Sequence, residues 1–452
     1  METQLRPCHI LIAGGGVAGL TLALALEKHN IPYTLLESYP NLIPKVGAGI
    51  CLLPNGLRIL DQLGCYEDLR ERVGVNNVLE SVYVRDHNGT ELHISDGWKE
   101  RMEARWGYNG LWCDRSMLLE ILYDHIADKS NLFTGKKVES IRHLEDSVEI
   151  STTDGSKYTG DMVVGTDGVH SRVRQEMVQY AKELGIAEDY TDDDLVSATY
   201  ACLFGLSTST PTLPRGLLGW NLGHGYSYIT GTGPEDRTYW GLMIKLDREY
   251  YGEEIPMLTE EDKERIIRKH WDDPITAEIH LSDLYKKSIH ITASPLREIV
   301  LKKWFCGRMV VLGDAAHKML PIIAQGGNQA FETVATFTNE LVAALSRPWT
   351  GVPSGKTPLS LLELRSLFST LQIQRMPRLS AMVEIARSRQ KMDIMATREL
   401  EEFVLNKFPA MMPGVLVQRW DQGFPGAVSF KSLQIPERSK EVPFNDECST
   451  GR

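Results

Sequence analysis

The chain has 452 residues, enough for about two or three domains of ~150 residues each, and its 42% hydrophobic and 24% charged residues are typical of a globular protein. Its net charge of −11 argues against a nucleic-acid-binding protein, and no apolar run reaches the ~18 residues that span a membrane. The seven cysteines include no CxxC pair, which favours a reducing compartment and no zinc site. We therefore expect a cytoplasmic protein without metal, nucleic-acid partner or integral membrane span, while peripheral contact with a membrane stays open.

A strand, a helix and a second strand are predicted at the N-terminus, from CHILIA, VAGLTLALALEKHN and YTLLE. In the loop and helix between the strands, Gly14, Gly16 and Gly19 fit the pattern GxGxxG. In that pattern the glycines make a tight turn, let the backbone approach a pyrophosphate and let helix and strand pack closely. The helix N-terminus then directs free N–H groups at the phosphate. The order of elements favours a dinucleotide site over a structural glycine turn.

Glu37 ends the second strand. Its carboxylate can accept hydrogen bonds from both hydroxyls of an adenosine ribose and would repel a 2′-phosphate. The unit therefore suits FAD or NAD better than NADP, and the choice between FAD and NAD stays open at this point.

Two later stretches have the same strand–turn–helix form. GDMVVGTDGVHSRVR places Asp167 in the turn after a strand, and GRMVVLGDAAHKMLPIIAQGGNQAFE places Asp314 at the end of another. Ligands of open α/β sheets gather at the carboxyl ends of the strands, where Asp314 could accept from a ribityl hydroxyl. The helix that follows begins at Gln325–Asn328, and its dipole would stabilise negative charge on a reduced flavin.

The stretches 196–206 and 224–246 show β-type runs that predict a sheet over the bound ligand. Within it, the buried side chain of Tyr228 either hydrogen-bonds a substrate oxygen or belongs to the core. We interpret Tyr239 and Trp240 as sheet packing. Beyond residue 350, GVPSGKTP predicts a linker, LSLLELRSLFSTLQIQRMPRLSAMVEIARSRQKM a helix interrupted at Pro377, and the tail PERSKEVPFNDECSTGR predicts disorder.

The three motifs, in this order, resemble those of the FAD-dependent aromatic-hydroxylase type of flavoprotein monooxygenase. GxGxxG matches the ADP-binding motif of that family, GTDGVHSRVR its DG motif and GDAAHKMLPIIAQGGNQAFE its GD motif, so that the resemblance spans roughly residues 8–345. KVGAGICLLPNGLRILDQLG and HKMLPIIAQGGNQA are similar to the paxilline-type group of fungal epoxidases and hydroxylases in meroterpenoid and indole-diterpene biosynthesis.

The resemblance implies an α/β fold: a Rossmann-like FAD-binding domain of the GR2 type with an inserted β-sheet substrate domain and a C-terminal helical region. We therefore expect the FAD-binding domain to comprise two parts, residues 1–185 and 296–350, with a small β insertion around 75–110 in the first part. The substrate-binding sheet would lie between them at 186–295. The helical region would follow at 351–430 and the disordered tail at 431–452.

The resemblance also implies the residues of the site. Glu37 would bind the adenosine ribose, Gly49 would lie against the flavin, and Arg115 would bind the pyrophosphate or ribityl region. By its position in the family, Tyr228 is the catalytic candidate. The complete set of expected cofactor-binding residues is Gly14, Gly16, Gly19, Glu37, Gly49, Arg115, Asp167, Asp314 and Gly327.

The implied activity is that of a monooxygenase with bound FAD, with NADPH or NADH as transient reductant and with O₂ as co-substrate. Through a C4a-hydroperoxyflavin, it would epoxidise or hydroxylate a hydrophobic, electron-rich molecule, prenylated or meroterpenoid-like, in fungal secondary metabolism. Two alternatives stay open. One is a non-catalytic or regulatory flavin-binding protein, and the other is a flavin-dependent halogenase, although the sequence lacks the halogenase signature WxWxIP.

Overall fold

The computed structural model describes residues 5–44, 49–190, 196–210, 212–347 and 359–448. These residues form a mixed α/β structure whose largest sheets have eight and six strands. The linker expected at 351–358 lies outside the described residues.

The helices alternate with strands in the first half of the chain and follow one another at its end. No helix among the described residues combines the length and apolar character needed to cross a lipid bilayer. In chain order the helices are α1 Val17–Lys28, α2 Pro54–Gln62, α3 Tyr66–Val73, α4 Trp98–Trp106, α5 Arg115–His125, α6 Arg172–Glu183, α7 Glu260–Lys269, α8 Leu281–Lys286, α9 Gly326–Leu345, α10 Leu361–Asp393, α11 Arg398–Asn406 and α12 Phe408–Gly423.

The strands of the described residues, in chain order, are β1 Ile10–Ala13, β2 Tyr33–Leu36, β3 Gly49–Leu52, β4 Ser81–Arg85, β5 Glu91–Ser95, β6 Leu111–Asp114, β7 Leu132–Phe133, β8 Val138–His143, β9 Val148–Thr152, β10 Lys157–Gly160, β11 Met162–Gly165, β12 Ser197–Ser207, β13 Leu217–Leu222, β14 Tyr226–Thr232, β15 Thr238–Tyr251, β16 Ser288–Val300, β17 Phe305–Cys306, β18 Met309–Val311 and β19 His317–Lys318.

The six-stranded sheet has the order β17-β18-β11-β1-β2-β7 and is parallel except for β17. Every residue of β1 and β11 is buried, as expected for strands covered on both faces. Helix α1 is apolar over most of its surface because it packs against both this sheet and α9. The carboxyl ends of β1, β2, β11 and β18 therefore meet at one edge, where a ligand groove forms.

The eight-stranded sheet has the order β19-β16-β12-β15-β14-β13-β4-β5. It includes β4 and β5, which we expected to form a small separate insertion: β4 pairs in parallel with β13, so this segment extends the large sheet. Strand β16 also continues to Val300, past the expected boundary at 295. Both differences arise from strand pairing between segments far apart in the chain, which local sequence patterns do not reveal.

Helix α10 runs without interruption from Leu361 to Asp393, with Pro377 inside it, so the predicted break at this proline is wrong. A proline inside a helix removes one hydrogen bond and crowds the preceding turn. Here Arg375 and Arg378, on either side of it, both bind the buried carboxylate of Glu332 on α9, at 2.8 and 2.7 Å. This contact holds the proline-containing turn against the FAD-binding half of the fold.

The tail also differs from the expected disorder, because residues 431–448 pack against the body of the protein. Arg58 donates to Asp446 at 2.8 Å and lies over the ring of Phe444, 4.0 Å from its centroid. Arg438 donates to Asp61 at 2.6 Å. Residues 449–452 lie outside the described part. Composition alone predicted disorder because the partners of these side chains are almost 400 residues away in sequence.

We expect Glu332→Gln to lower the free energy of unfolding by about 3–5 kcal/mol, because it leaves the buried guanidinium of Arg375 and the partly buried guanidinium of Arg378 without a charged partner. Urea denaturation measures the change. The matched control is Glu402→Gln, which removes an exposed partner of Arg398 and should change the stability by less than about 0.5 kcal/mol. Equal effects of the two substitutions would show that the buried ion cluster does not stabilise the fold.

Candidate functional site

The glycine loop lies between β1 and α1 and requires glycine at two positions. Gly14 has a φ of +105°, and a Cβ there would lie 2.7 Å from the carbonyl oxygen of Thr166 and 2.8 Å from Cα of Asp167. A Cβ on Gly19 would lie 1.9 Å from the carbonyl oxygen of Gly14. The loop and the turn after β11 are thus in direct contact, and Gly19 supports the loop by close packing rather than by lining the groove.

A cavity of about 810 Å³ lies beside this loop, lined by Gly14, Gly16, Glu37, Arg115 and Asp167 among others. It brings together five of the nine expected cofactor residues, which come from four separate segments. The carboxylate of Glu37 stands at the end of β2 and accepts hydrogen bonds from the backbone N–H groups of Gly15, at 2.7 Å, and Tyr39, at 2.8 Å. These bonds fix its orientation at the wall of the cavity.

A second cavity of about 370 Å³ continues from the first, since Gly16, Arg115, Thr166 and Gly168 line both. We call the two together the cofactor groove. The second cavity adds Gly49, Asp314 and Gly327, so that eight of the nine expected residues line the groove, Gly19 being the exception.

Arg115 and Asp314 provide opposite charges in the middle of the groove. Burial lowers the pKa of Arg115, whose guanidinium makes no hydrogen bond with the described residues. Lys318 donates to Asp314 at 2.5 Å. Burial alone would raise the pKa of the Asp314 carboxyl, but Lys318, His317 and Arg115 hold it below its usual value. Asp314 is therefore an ionised acceptor, and Arg115 a cation free to bind an anion.

Asp167 lies just after β11 and lines the cavity of about 810 Å³. Its Oδ2 accepts from the N–H of Val173 in the first turn of α6, at 3.1 Å. Its Oδ1 is buried with no hydrogen-bond partner in the described part of the chain, and burial raises the pKa of the carboxyl. Asp167 thus holds the start of α6 against the groove and leaves one acceptor unused.

The opposite wall of the groove contains an aromatic pair, Trp112 and Tyr239, of which the sequence interpretation had treated Tyr239 as sheet packing. The ring of Tyr239 stacks on Trp112, with centroids 5.7 Å apart and planes at 14°, and both residues line the 370 Å³ cavity. The Tyr239 hydroxyl donates to Asp114 at 2.8 Å. The alternation in β15 showed that Tyr239 and Trp240 face opposite sides, but only the packed sheet decides which side meets the groove.

The proposed catalytic residue Tyr228 is not in the groove, and we withdraw that assignment. It is 1% exposed and packs on the other face of the eight-stranded sheet, where its hydroxyl donates to Asp273 at 2.9 Å. Its neighbour Ile229 lines the groove instead. Successive residues of a strand point to opposite faces, so the side chain next to the expected one reaches the cavity.

A third cavity, of about 410 Å³, opens beside the groove, and Cys51, Ile229 and Ala324 line both. We call it the adjoining cavity. The eight-stranded sheet forms one side of this cavity, and helices α10 and α12 of the C-terminal helical region form the other. Its apolar lining includes Leu53, Leu218, Trp220, Ile322, Met382, Ile385, Leu416, Trp420 and Phe424.

Comparison with known proteins agrees with this site. A family model described as an FAD binding domain matches residues 7–190 and 240–348. The FAD-dependent monooxygenase cdmI of Talaromyces verruculosus is 34% identical over 382 residues, covering 84% of this chain and 77% of the relative. The chain belongs to the FAD-binding family of flavoprotein monooxygenases. This confirms the resemblance drawn from the three motifs and the prediction of FAD as cofactor.

Another relative is longer than this chain. The FAD-dependent monooxygenase anuJ of Penicillium roqueforti is 32% identical over 468 residues, which cover 99% of this chain and 55% of the relative. This chain therefore spans about half the length of that protein.

Solved structures show the same fold. Klebsiella pneumoniae HpxO, complexed with FAD and uric acid, aligns with a TM-score of 0.71 and 20% identity, covering 92% of this chain and 96% of that one. CtdE, in complex with FAD and a substrate, aligns with a TM-score of 0.67 over 86% of this chain and 90% of that one. The predicted FAD-binding α/β fold is confirmed.

The groove fits FAD by its own chemistry. A glycine cradle at the N-terminus of α1 and the unpaired guanidinium of Arg115 suit a pyrophosphate. Ionised Asp314 is an acceptor for hydroxyl groups. The aromatic pair and Gly49 border the second cavity of the groove, which offers a planar ring an aromatic wall.

We expect Asp314→Ala to weaken FAD binding by roughly 10- to 100-fold, because a charged hydrogen-bond acceptor is lost. The purified variant should be pale, and its flavin content is measured by absorbance after denaturation. The control is Asp247→Ala on the exposed part of β15, which should retain FAD. Full FAD occupancy in the Asp314 variant would contradict the role given to this carboxylate.

We expect Tyr228→Phe to retain FAD and to keep its turnover within about twofold of the parent protein, because the lost hydroxyl lies outside the groove. The same substitution at Tyr239 removes a hydrogen bond in the groove wall and should reduce FAD affinity or turnover. Flavin titration and steady-state NADPH oxidation distinguish the two variants. A large loss of turnover in Tyr228→Phe alone would restore its catalytic assignment.

Proposed function

We propose that the protein is an NADPH- or NADH-dependent monooxygenase that inserts one oxygen atom from O₂ into an apolar small molecule. Epoxidation of an alkene in a prenyl chain is the first candidate reaction, and hydroxylation of an electron-rich ring is the second. The fungal relatives named as FAD-dependent monooxygenases support this proposal.

The observation that carries the proposal is the continuity between the cofactor groove and the adjoining cavity. The two share Cys51, Ile229 and Ala324, so an apolar molecule in the adjoining cavity would reach the ring end of the groove. A binding protein would need the groove alone. A second chamber that is lined by large apolar side chains and opens onto the redox cofactor is what an oxygenation reaction requires.

FAD, when bound, would supply the reduction of O₂ and the transfer of one oxygen atom to an electron-rich carbon. The chain's own residues would hold and orient the reactants. Arg115 would bind the pyrophosphate, while Glu37 and Asp314 would accept from hydroxyls. Gly326 and Gly327, at the N-terminus of α9, line the groove, where the positive end of the helix dipole stabilises negative charge.

The adjoining cavity would also exclude water. Its walls are mostly leucine, isoleucine, methionine and aromatic side chains, which would keep bulk water away from the junction with the groove. Cys51, at the junction, is buried, and burial raises the pKa of its thiol to about 12, so the thiol stays neutral there.

We further propose that the protein is located in the cytoplasm, and the proposal allows for peripheral contact with a membrane. The seven cysteine side chains are free thiols, and six of them are buried. Thiols kept reduced are typical of a reducing compartment.

The test is oxygenation by the purified holoenzyme of a farnesylated phenol under ¹⁸O₂. We expect the spectrum of bound flavin, NADPH oxidation stimulated by the phenol, and a product with one ¹⁸O atom by mass spectrometry. The Asp314→Ala variant is the flavin-depleted control. NADPH oxidation that yields only hydrogen peroxide, with this substrate and with related prenylated arenes, would favour the non-catalytic flavin-binding alternative. A halogenated product formed in the presence of chloride would favour the halogenase alternative.

A further inference from the structure

The adjoining cavity contains three cationic side chains among its apolar walls. Arg378 and Arg389 lie on α10 and Arg419 lies on α12, and no acidic residue belongs to the described lining. Arginines in an apolar cavity are costly unless each charge has a partner, so the partners of these three decide what the cavity can hold.

Arg378 is already neutralised. Its Nε donates to Glu332 at 2.7 Å and its Nη2 donates to the same carboxylate at 2.9 Å. It is therefore part of the ion cluster between α9 and α10.

Arg389 is only partly satisfied. It is 6% exposed, its Nε donates to Asp393 at 2.6 Å, and its guanidinium lies over the ring of Trp220, 4.6 Å from the centroid. Its Nη2 is buried and has no hydrogen-bond partner among the described residues. One donor of a buried cation is thus left without an acceptor.

Arg419 is less satisfied still. Its Nη2 is also buried without a partner in the described ranges, and no other hydrogen bond links its side chain to them. Burial and the nearby charge of Arg389 lower the pKa of Arg419 to about 10, against the opposing effect of the Asp393 carboxylate, and Arg419 stays protonated at neutral pH. The indole N–H of Trp220, also in the lining, is a third buried donor without an acceptor in these residues.

The charges around the cavity do not balance. Of the three arginines in the lining, Arg378 is paired with Glu332 and Arg389 with Asp393, whereas Arg419 has no ion-pair partner among the described residues. Asp393 acts on Arg419 only through its charge, and the Oδ2 atom of Asp393 is buried without a hydrogen-bond partner in those residues. The lining therefore has one positive charge in excess beside an apolar chamber. An anion supplied by a ligand would satisfy the free donors and compensate this excess.

We propose that the adjoining cavity binds the carboxylate of an apolar organic acid, with Arg389 and Arg419 as the anion-binding pair. An inorganic anion would leave most of the apolar wall uncovered, whereas an acid with a hydrocarbon or terpenoid body would fill it. Resting on the proposed function, this inference makes the substrate a carboxylic acid. The apolar body would extend past Cys51, Ile229 and Ala324 toward the cofactor groove, so oxygen would be inserted at a carbon remote from the carboxylate.

The test compares two probes that differ only in charge, 3-farnesyl-4-hydroxybenzoic acid and its methyl ester. Calorimetric titration of the oxidised holoenzyme at neutral pH measures both affinities without turnover. We expect the acid to bind about tenfold or more tightly than the ester, because a desolvated charge pair forms only with the acid. Arg419→Gln should abolish this preference, and Arg419→Lys should retain part of it.

Arg419 is the residue of choice for substitution because it has no hydrogen bond to the described residues whose loss would disturb the fold. Arg398→Gln, which removes a charge from the exposed surface of α11, is the matched control and should keep the preference for the acid. Thermal unfolding gives a second readout. Without ligand, Arg419→Gln should be at least as stable as the parent protein, because the substitution removes an unpaired, partly buried charge.

Equal affinities of the parent protein for acid and ester would overturn the proposal, as would a preference that survives Arg419→Gln or failure of the acid to bind the FAD-loaded protein. None of these results depends on oxygenation. If the acid preference is lost with Arg419→Gln but no product ever contains ¹⁸O, the anion site stands and the proposed monooxygenase reaction fails. If the ester and the acid bind with equal affinity and both are oxygenated, the monooxygenase reaction stands and the proposed anion site fails.

Discussion

The buried carboxylate of Glu332 is the contact on which both cavities depend. It lies at 0% exposure on α9 and receives hydrogen bonds from Asn55, Arg375 and Arg378, which come from α2 and α10. Burial alone would raise its pKa, but the two arginines hold the pKa at about 2. Because a buried charge tolerates little displacement of its partners, this cluster fixes α10 relative to α9. The N-terminus of α9 borders the cofactor groove and the outer face of Arg378 borders the adjoining cavity, so the two chambers are aligned by one ion cluster.

The buried charges in this region form two sets that differ in whether their hydrogen-bonding groups are satisfied within the protein. Glu332 is satisfied by side chains of the protein alone. Arg389 and Arg419 keep free donors. Arg389 lies about three helical turns after Arg378 on α10, and Arg419 lies near Arg389 on α12. A fold selected for stability alone would pair or remove such donors, because each unpaired buried polar group is unfavourable. Beside an apolar chamber, such donors fit the anion site proposed above.

The face of the eight-stranded sheet that meets the groove also decides which aromatic residues can act there. Tyr228 and Tyr239 lie on neighbouring antiparallel strands and are both buried. Only Tyr239 lines the groove, while Tyr228 bonds Asp273 behind the sheet. A motif therefore predicts the position of a site well where backbone groups form the site. It predicts the position poorly where the site depends on which of two strand faces a side chain occupies.

The sequence by itself determined the cofactor half of the site. Gly14 and Glu37 lie directly after buried strands, and Asp314 lies three residues after the end of β18. The carboxyl ends of neighbouring parallel strands meet at one edge of the sheet, so these residues come together. Tertiary structure alone decided the substrate half. The alternation of residues along a strand defines two faces but does not show which face points inward, and Tyr239 was missed for this reason. Other contacts join segments more than 100 residues apart, namely the pairing of β4 with β13 and the position of Arg419 on α12 beside the sheet. Such contacts depend on packing between distant surfaces, which no local pattern of residues encodes.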